Sequence, residues 1–165
     1  MRLESGEETI QEVLEAVFAI LEKNTLLALS TFADNEIWTC TLFYSYDKDL
    51  NMYFVSSPDT RHCQMMSKNN HVSGTIYPPA AVWGTDIQGI QFEALAERVP
   101  VPLVPIHGFR YLKRFPVAKK FISSPELLLS DKISDRLYRL TPLLIQLYDE
   151  VAIPEGDPIR RIIFD

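Results

Sequence analysis

A run of alternating apolar and polar residues at 87–99 most constrains what this chain can fold into. The apolar positions include Ile90, Phe92, Ala94 and Ala96, and the polar ones Gln91, Glu93 and Glu97. Successive side chains of a strand point to opposite faces, so the alternation predicts a long strand with one buried face. Gly89 and the out-of-phase Leu95 predict a close backbone approach or a β-bulge within it.

Shorter runs rich in β-forming residues surround this strand. Three of them, joined by short polar turns, predict an antiparallel meander at 26–32, 37–44 and 52–55. In the second run Thr39 and Thr41 share one face, and Cys40 and Leu42 share the other with Trp38. Further strands are predicted at 71–77, on either side of Pro142 within 136–149, and near the end of the chain.

Helices are predicted at three places. Ser5 and Glu8 have the spacing of a capping box before an amphipathic helix that ends near Lys23. The other two helices are predicted at 60–68 and, interrupted at Pro116, at 109–122. The prolines before the third helix predict a stiff extended connection; they are Pro100, Pro102 and Pro105.

These elements predict a mainly β protein with peripheral helices (α+β), built as a small antiparallel barrel. The 165 residues suit a single domain, 1–165, with an N-terminal helix in 1–24 and a helical insertion at 105–124. The net charge of -6 argues against nucleic acid as a partner. Apolar runs stay well below the ~20 residues that cross a bilayer, and residues 1–8 lack the apolar core of a signal peptide. We therefore expect a cytoplasmic protein without a membrane partner.

Metal binding is not expected. The two cysteines, Cys40 and Cys63, form neither a disulfide framework nor a CxxC pair. His62, Cys63 and His71 could be imagined as ligands, but adjacent His62 and Cys63 have poor ligand spacing, and a second paired motif does not accompany them.

A strand leads directly into a helix at residues 55–66. Two serines, Ser56 and Ser57, follow the apolar run, and the predicted helix begins with Thr60, Arg61 and His62. Backbone N–H groups and the helix dipole favour an anion at such a place, and phosphate is the obvious candidate. The alternative is that a side chain, Ser57 or Asp59, simply caps a surface helix.

One basic cluster stands out in this acidic chain. Its members are Arg110, Lys113, Arg114, Lys119 and Lys120. The cluster is either a solvated helix face or a surface that flanks an anionic ligand or partner.

Three strings in the same order resemble the FMN-binding split barrels, the pyridoxamine 5'-phosphate oxidase-like proteins. They are residues 60–65 (TRHCQM), 89–92 (GIQF) and 114–118 (RFPVA). The likeness spans roughly residues 26–124, and it is greatest to the poorly characterised YhbP-like group. It implies an antiparallel split barrel that binds FMN and forms a homodimer, with the cofactor sites in the subunit interface.

The resemblance also implies a set of FMN contacts. These residues are Thr39, Cys40, Thr41, Leu42, Ser56, Ser57, Thr60, Arg61, His62 and Gln88. Arg61 would supply a fixed charge to the phosphate. His62 stands where the wider family has a lysine, and Gln88 matches a glutamine that reaches FMN from the other subunit.

The chain departs from the oxidase at its carboxy-terminal substrate signature. The last tryptophan is Trp83, so pyridoxamine phosphate is not the expected substrate. A flavin-dependent oxidoreductase of unknown substrate is one hypothesis, and its catalytic residues cannot be named from the sequence. The others are a flavin-binding or sensing module without turnover, and a dimeric split barrel that has lost FMN.

Overall fold

The computed structural model describes residues 1–4, 9–78, 87–151 and 157–164. The strands are β1 Arg2–Glu4, β2 Leu26–Ala33, β3 Glu36–Phe43, β4 Ser45–Tyr46, β5 Met52–Ser56, β6 His71–Ile76, β7 Gln88–Arg98, β8 Arg136–Asp149 and β9 Ile159–Ile163. The helices are α1 Ile10–Lys23, α2 Arg61–Lys68 and α3 Val104–Arg114. Short 3-10 helices lie at Val101–Leu103, Pro116–Lys120 and Pro125–Leu129.

The strands form one antiparallel sheet in the order β1-β9-β8-β7-β6-β2-β3. The long strand β8 divides it. One edge of β8 pairs with β7, while the other pairs with β5 in its first half and with β9 in its second half. The hydrogen-bonded path ends at β3, so the sheet is not closed. This is the predicted split barrel, and the fold class is confirmed.

The predicted meander is correct for its first two strands and wrong for the third. β2 and β3 form a hairpin whose turn residues, Asp34 and Asn35, have φ values of 52° and 61°. Asp and Asn tolerate this left-handed conformation better than most residues. β5 pairs with β8 over five residues and with only the two-residue strand β4 on its other side. The ladder of β3 ends before Tyr44, whose buried hydroxyl bonds to the end of α1.

Two helix starts differ from their predictions. The capping box of α1 is made by Thr9 and Glu12, whereas residues 5–8, where we placed it, lie outside the described residues. Helix α3 begins at Val104 and takes Pro105 into its first turn. A proline is tolerated there because its missing N–H would have no partner in the helix. The extended connection is therefore wrong at Pro102, which lies in the 3-10 helix Val101–Leu103, and at Pro105. The predicted interruption at Pro116 is confirmed by a 3-10 helix that starts there.

The irregularity of β7 lies between Glu93 and Ala94, which pair with Leu144 and Pro142. Leu143 is the extra residue, so the bulge adjoins a proline that has no N–H to give to the ladder. The bulge is therefore not at Gly89 or Leu95, which both pair in register. The close backbone approach is confirmed at Gly89, where an added Cβ would lie 3.1 Å from the Ile76 carbonyl oxygen. The approach is closer still at Gly74, where an added Cβ would lie 2.4 Å from the Phe92 ring and 2.5 Å from the Ala28 carbonyl.

Two hydrophobic clusters stabilise this arrangement. The larger packs the buried stripe of α1, with Val13, Val17, Ile20 and Leu21, against the inner face of the sheet. The smaller lies beneath α3 and consists of Tyr53, Val99, Val104, Leu112, Ile122, Leu128 and Leu137. Burial of apolar side chains on this scale is the main favourable contribution to folding.

Candidate functional site

The end of β5 and the start of α2 bring three predicted site residues together. Ser56 Oγ lies 2.9 Å from His62 Nε2 and 3.2 Å from Thr60 Oγ1. The two atoms of Thr60 and His62 are themselves 3.2 Å apart. Ser56 and His62 are buried. Burial lowers the pKa of His62, which keeps the imidazole neutral near pH 7.

The first turn of α2 has no side-chain cap within the described residues. Thr60 is the N-cap residue, but its hydroxyl donates to the Ser57 carbonyl at 2.8 Å instead of accepting from the helix. Ser57 Oγ accepts from the Asp59 N–H at 3.3 Å. The alternative in which Ser57 or Asp59 caps the helix is therefore not the observed arrangement. The N–H groups of the first turn, the positive end of the helix dipole, are left to another acceptor.

Arg61 lies on the outside of the same turn. Its Nη2 donates to Glu36 Oε2 at 2.6 Å, and its guanidinium lies 4.6 Å from the centre of the Trp38 ring. Both partners belong to β3, so these contacts connect α2 to the strand that carries other predicted residues. The sequence analysis missed Glu36 and Trp38 as partners of Arg61, because their contact depends on how α2 packs against β3.

Strand β3 presents its predicted residues on two faces, as the alternation predicts. Thr39 and Thr41 are exposed, and Thr39 Oγ1 lies 2.9 Å from Ser30 Oγ on β2. Cys40 and Leu42 are half-buried and pack against the larger core. Desolvation raises the pKa of the Cys40 thiol to about 11, so it is protonated at neutral pH.

Gln88 is not brought to the cluster within one chain. It lies at the start of β7 and donates to Asp149 Oδ2 at 2.9 Å. Cross-strand pairing joins Trp38 of β3 to Thr31 of β2, and pairing through β6 joins Thr31 to Ala94 of β7, so these residues form one row across the sheet. Ala94 is six residues beyond Gln88 on β7. Gln88 is therefore ~20 Å along the strand from that row.

Some members of the basic cluster are exposed to solvent, whereas others contact the rest of the protein. Lys113, Lys119 and Lys120 are exposed. Arg114 instead donates to the carbonyls of Leu21 at 2.6 Å and Asn24 at 2.9 Å, at the C-terminus of α1. These carbonyls have no partner inside their helix, so Arg114 acts as a cap.

Arg110 belongs to a second polar network that the sequence analysis did not identify. His107 stacks on Tyr53 with 4.2 Å between ring centres, and Arg110 Nη1 lies 3.4 Å from His107 Nδ1. The Tyr53 hydroxyl donates to Asp47 Oδ2 at 2.7 Å. Burial and the Arg110 charge lower the pKa of His107. The network fixes α3 on the turn before β5.

Metal-ligating clusters and membrane-spanning helices are both absent from the described residues. Within the described ranges, His, Cys, Asp and Glu side chains do not form a group of three that could hold a metal ion. The helices of the described part of the chain are all too short or too polar to cross a membrane.

Comparison with known proteins gives both relatives and structural neighbours. No family model matches the chain. It is 34% identical over 116 residues to a UPF0306 protein of Klebsiella pneumoniae strain 342, covering 69% of this chain and 77% of the relative. It is 30% identical over 110 residues to the UPF0306 protein YhbP of Salmonella schwarzengrund, with coverages of 66% and 74%.

The structural neighbours are more distant in sequence. A pyridoxamine 5'-phosphate oxidase-like protein of Listeria innocua has a TM-score of 0.63 at 16% identity, covering 82% of this chain and 97% of that one. An FAD-binding protein of Mesorhizobium loti has a TM-score of 0.61 at 14% identity, with coverages of 99% and 97%. A heme-binding protein of Mycobacterium smegmatis has a TM-score of 0.68 at 14% identity, with coverages of 87% and 55%. At these identities the likeness shows the fold alone.

Proposed function

This chain belongs to the UPF0306 family, and we propose that it is a dimeric FMN-binding protein that acts as a flavin-dependent oxidoreductase. The observation that carries the proposal is the turn from β5 into α2. There none of the described side chains caps the helix N-terminus, and Ser56, Thr60 and Arg61 lie in or next to the turn. The fold is shared with a pyridoxamine 5'-phosphate oxidase-like protein and with a protein described as FAD-binding.

The residues of this turn fit the phosphate of FMN. Backbone N–H groups at a helix N-terminus are common donors to phosphate oxygens, and the Thr60 hydroxyl would join them by turning its proton away from the Ser57 carbonyl. Arg61 adds a permanent charge with a planar set of donors. Its present partner Glu36 is exposed, and a surface ion pair of this kind contributes only about 0.2–1 kcal/mol, so exchange for a phosphate is energetically accessible.

The buried His62 ring orients the hydroxyl groups of Ser56 and Thr60. Its neutral ring contacts both Ser56 Oγ and Thr60 Oγ1 through Nε2. A lysine would supply charge to the phosphate, whereas the buried imidazole fixes the direction of its neighbours' hydrogen bonds. Ser57 completes the turn through its carbonyl, which holds the Thr60 hydroxyl.

Strand β3 would follow the flavin ring. Trp38 lies beside Arg61, and Thr39, Cys40, Thr41 and Leu42 follow along the strand. From Trp38 to Leu42 is ~13 Å, at about 3.3 Å per residue. The bound flavin would supply the redox chemistry, and the residues of β3 and α2 would bind and orient it.

A homodimer would complete the site. β3 is an end of the hydrogen-bonded sheet and exposes large apolar side chains, among them Ile37 at 72% and Phe43 at 55%. Exposed apolar surface of this kind is typical of an interface. A partner chain could bring Gln88 to the flavin.

The test is a fluorescence titration of FMN with purified protein, after its visible absorption spectrum has been recorded. We expect a yellow protein, and we expect Arg61→Ala to weaken FMN binding by about 1.5–3 kcal/mol, the range for a hydrogen bond to a charged group. Lys68→Ala is the matched control, because Lys68 is the cation at the other end of α2 and pairs with Asp34. Equal affinity of Arg61→Ala and the control would contradict the phosphate site. Reduction of the bound flavin by NADH or NADPH would identify the electron donor.

A further inference from the structure

Acidic residues are absent from a long section of this acidic chain. Of the 22 Asp and Glu residues, not one lies between Arg98 and Pro125. The same section has six cations, namely Arg98, Arg110, Lys113, Arg114, Lys119 and Lys120. Arg114 is used by the end of α1, and Arg110 faces Asp47 at 3.8 Å. The remaining lysines make this region the basic side of a protein with a net charge of -6.

The solvent face of α3 is apolar where a surface helix is usually polar. The helix buries Val104, Gly108, Tyr111 and Leu112. On the opposite side Ile106 and Phe109 are 58% and 62% exposed, and Lys113 follows one turn later. The spacing of these three residues, i, i+3 and i+7, places them on one face of the helix.

The 3-10 helix that follows α3 continues the pattern. Val117 is 67% exposed and Phe121 is 76% exposed. The exposed lysines Lys119 and Lys120 lie between them in the sequence. Exposed large apolar side chains and ammonium groups therefore follow one another along this part of the chain, whose exposed side we call the basic-apolar face: Ile106, Phe109, Lys113, Val117, Lys119, Lys120 and Phe121.

We propose that the basic-apolar face binds the surface of an anionic lipid bilayer, contrary to the expectation from the sequence of a protein without a membrane partner. Exposed Phe, Ile and Val side chains would enter the boundary between headgroups and acyl chains, while lysines contact the anionic headgroups. The charge arrangement also argues against a second copy as the occupant. A two-fold contact would place this face against itself, and lysines would then meet lysines. The proposal does not depend on flavin binding.

The experiment is co-sedimentation of the full chain with vesicles. One set contains phosphatidylcholine alone, and the other contains phosphatidylcholine with one third phosphatidylglycerol. We expect binding to the anionic vesicles only, and we expect it to weaken with added salt. Absence of binding to anionic vesicles at low salt would overturn the proposal.

Two pairs of variants separate this face from general charge effects. Lys119→Glu with Lys120→Glu should lower the partition coefficient by at least about tenfold, because each lysine near an anionic surface contributes about 1 kcal/mol. The control, Lys48→Glu with Lys132→Glu, changes the net charge equally at other exposed lysines. Equal losses in both double variants would overturn the proposal.

Val117→Ser tests the apolar contribution, and Val151→Ser, at a valine that is 58% exposed, is its control. We expect a several-fold loss for Val117→Ser alone, with unchanged circular dichroism. Size-exclusion chromatography provides a second readout. A change of oligomeric state in Val117→Ser would show that the face joins two copies of the chain, and binding to polyglutamate but not to vesicles would show an acidic protein partner. Either result would contradict the lipid assignment.

Discussion

Arg61 and Arg114 lie beside opposite ends of the continuous stretch formed by β3 and β4. Both guanidinium groups lie over aromatic rings, 4.6 Å from Trp38 for Arg61 and 5.0 Å from Tyr46 for Arg114. Both also pair with a glutamate. They differ in exposure, because the Arg61 side chain is 48% exposed and the Arg114 side chain only 14%.

Their hydrogen-bond partners explain the difference. Arg114 donates to main-chain carbonyls at the end of α1, where only a side chain or solvent can replace the missing helical donors. Arg61 has a single carboxylate partner on the surface, which a ligand can replace. The two arginines, although both lie over an aromatic ring beside a glutamate, thus have different roles. Arg114 caps the C-terminus of α1, whereas the N–H donors of Arg61 stay available for a ligand.

The largest effect that tests this comparison is expected for Arg114→Ala. The substitution removes the charged donor from the Leu21 and Asn24 carbonyls at the end of α1, leaving them the Tyr44 hydroxyl, and it removes the ion pair with Glu22. We expect the free energy of unfolding to fall by about 3 kcal/mol, the upper end for a lost bond to a charged group. Urea denaturation measures it. Arg110→Ala, on the same helix, should cost less than half as much, and equal losses would contradict the capping role.

A smaller loss of unfolding free energy is expected when the C-terminus of α1 loses the Tyr44 hydroxyl as a donor. The fully buried Tyr44 hydroxyl lies 3.0 Å from the Leu21 carbonyl and 2.8 Å from the Asn24 carbonyl. Tyr44→Phe keeps the ring and removes this donor, so we expect a loss of about 1–2 kcal/mol in the same denaturation experiment. A loss below about 0.3 kcal/mol would mean that solvent replaces the hydroxyl. Combining it with Arg114→Ala should be non-additive, because the two residues share acceptors.

The part of the fold that follows local pattern could be predicted from the sequence. The alternation at 87–99 became β7, and the stretch at 55–66 became a strand followed by α2. The pairing of β5 with β8 could not be predicted, because it joins residues that are far apart along the chain. β1, at residues 2–4, was missed for a similar reason, since it is only three residues long and pairs with β9.

The candidate site shows the same limit. Ser56, Thr60 and His62 are close in sequence, so their grouping at one turn was predictable. The partners of Arg61 on β3 were not, because they depend on packing between elements. The string Arg-Phe-Pro at 114–116 drew attention as a family pattern, and the structure gives it a physical role. Arg114 caps α1, Phe115 packs edge-on against Phe43, and Pro116 ends the helix.

A pH dependence distinguishes the buried His62 and the half-buried His107 from the exposed His71. Burial lowers the pKa of His62 and of His107, so the folded protein favours their neutral forms. The unfolded chain then binds more protons below its histidine pKa of about 6.5, and stability falls as pH drops from there through the folded-state values. We expect His62→Gln and His107→Gln each to flatten the decline of unfolding free energy between pH 7 and pH 5. His71→Gln, at an exposed histidine, is the control, and an equal flattening there would contradict the assignment.

The smallest effect is expected for Arg61→Ala when stability is measured instead of ligand binding. Its ion pair with Glu36 is exposed on both sides, and such pairs contribute about 0.2–1 kcal/mol. The stacking on Trp38 adds a contribution of similar size. We therefore expect urea denaturation of the FMN-free variant to differ from that of the parent chain by about 1 kcal/mol, and by no more than about 2 kcal/mol when the two contributions add fully. The FMN affinity of the same variant should fall by about 1.5–3 kcal/mol. A stability loss as large as that of Arg114→Ala would show that Arg61 is a structural residue like Arg114. It would contradict the proposal that the Arg61 guanidinium is available to bind a phosphate.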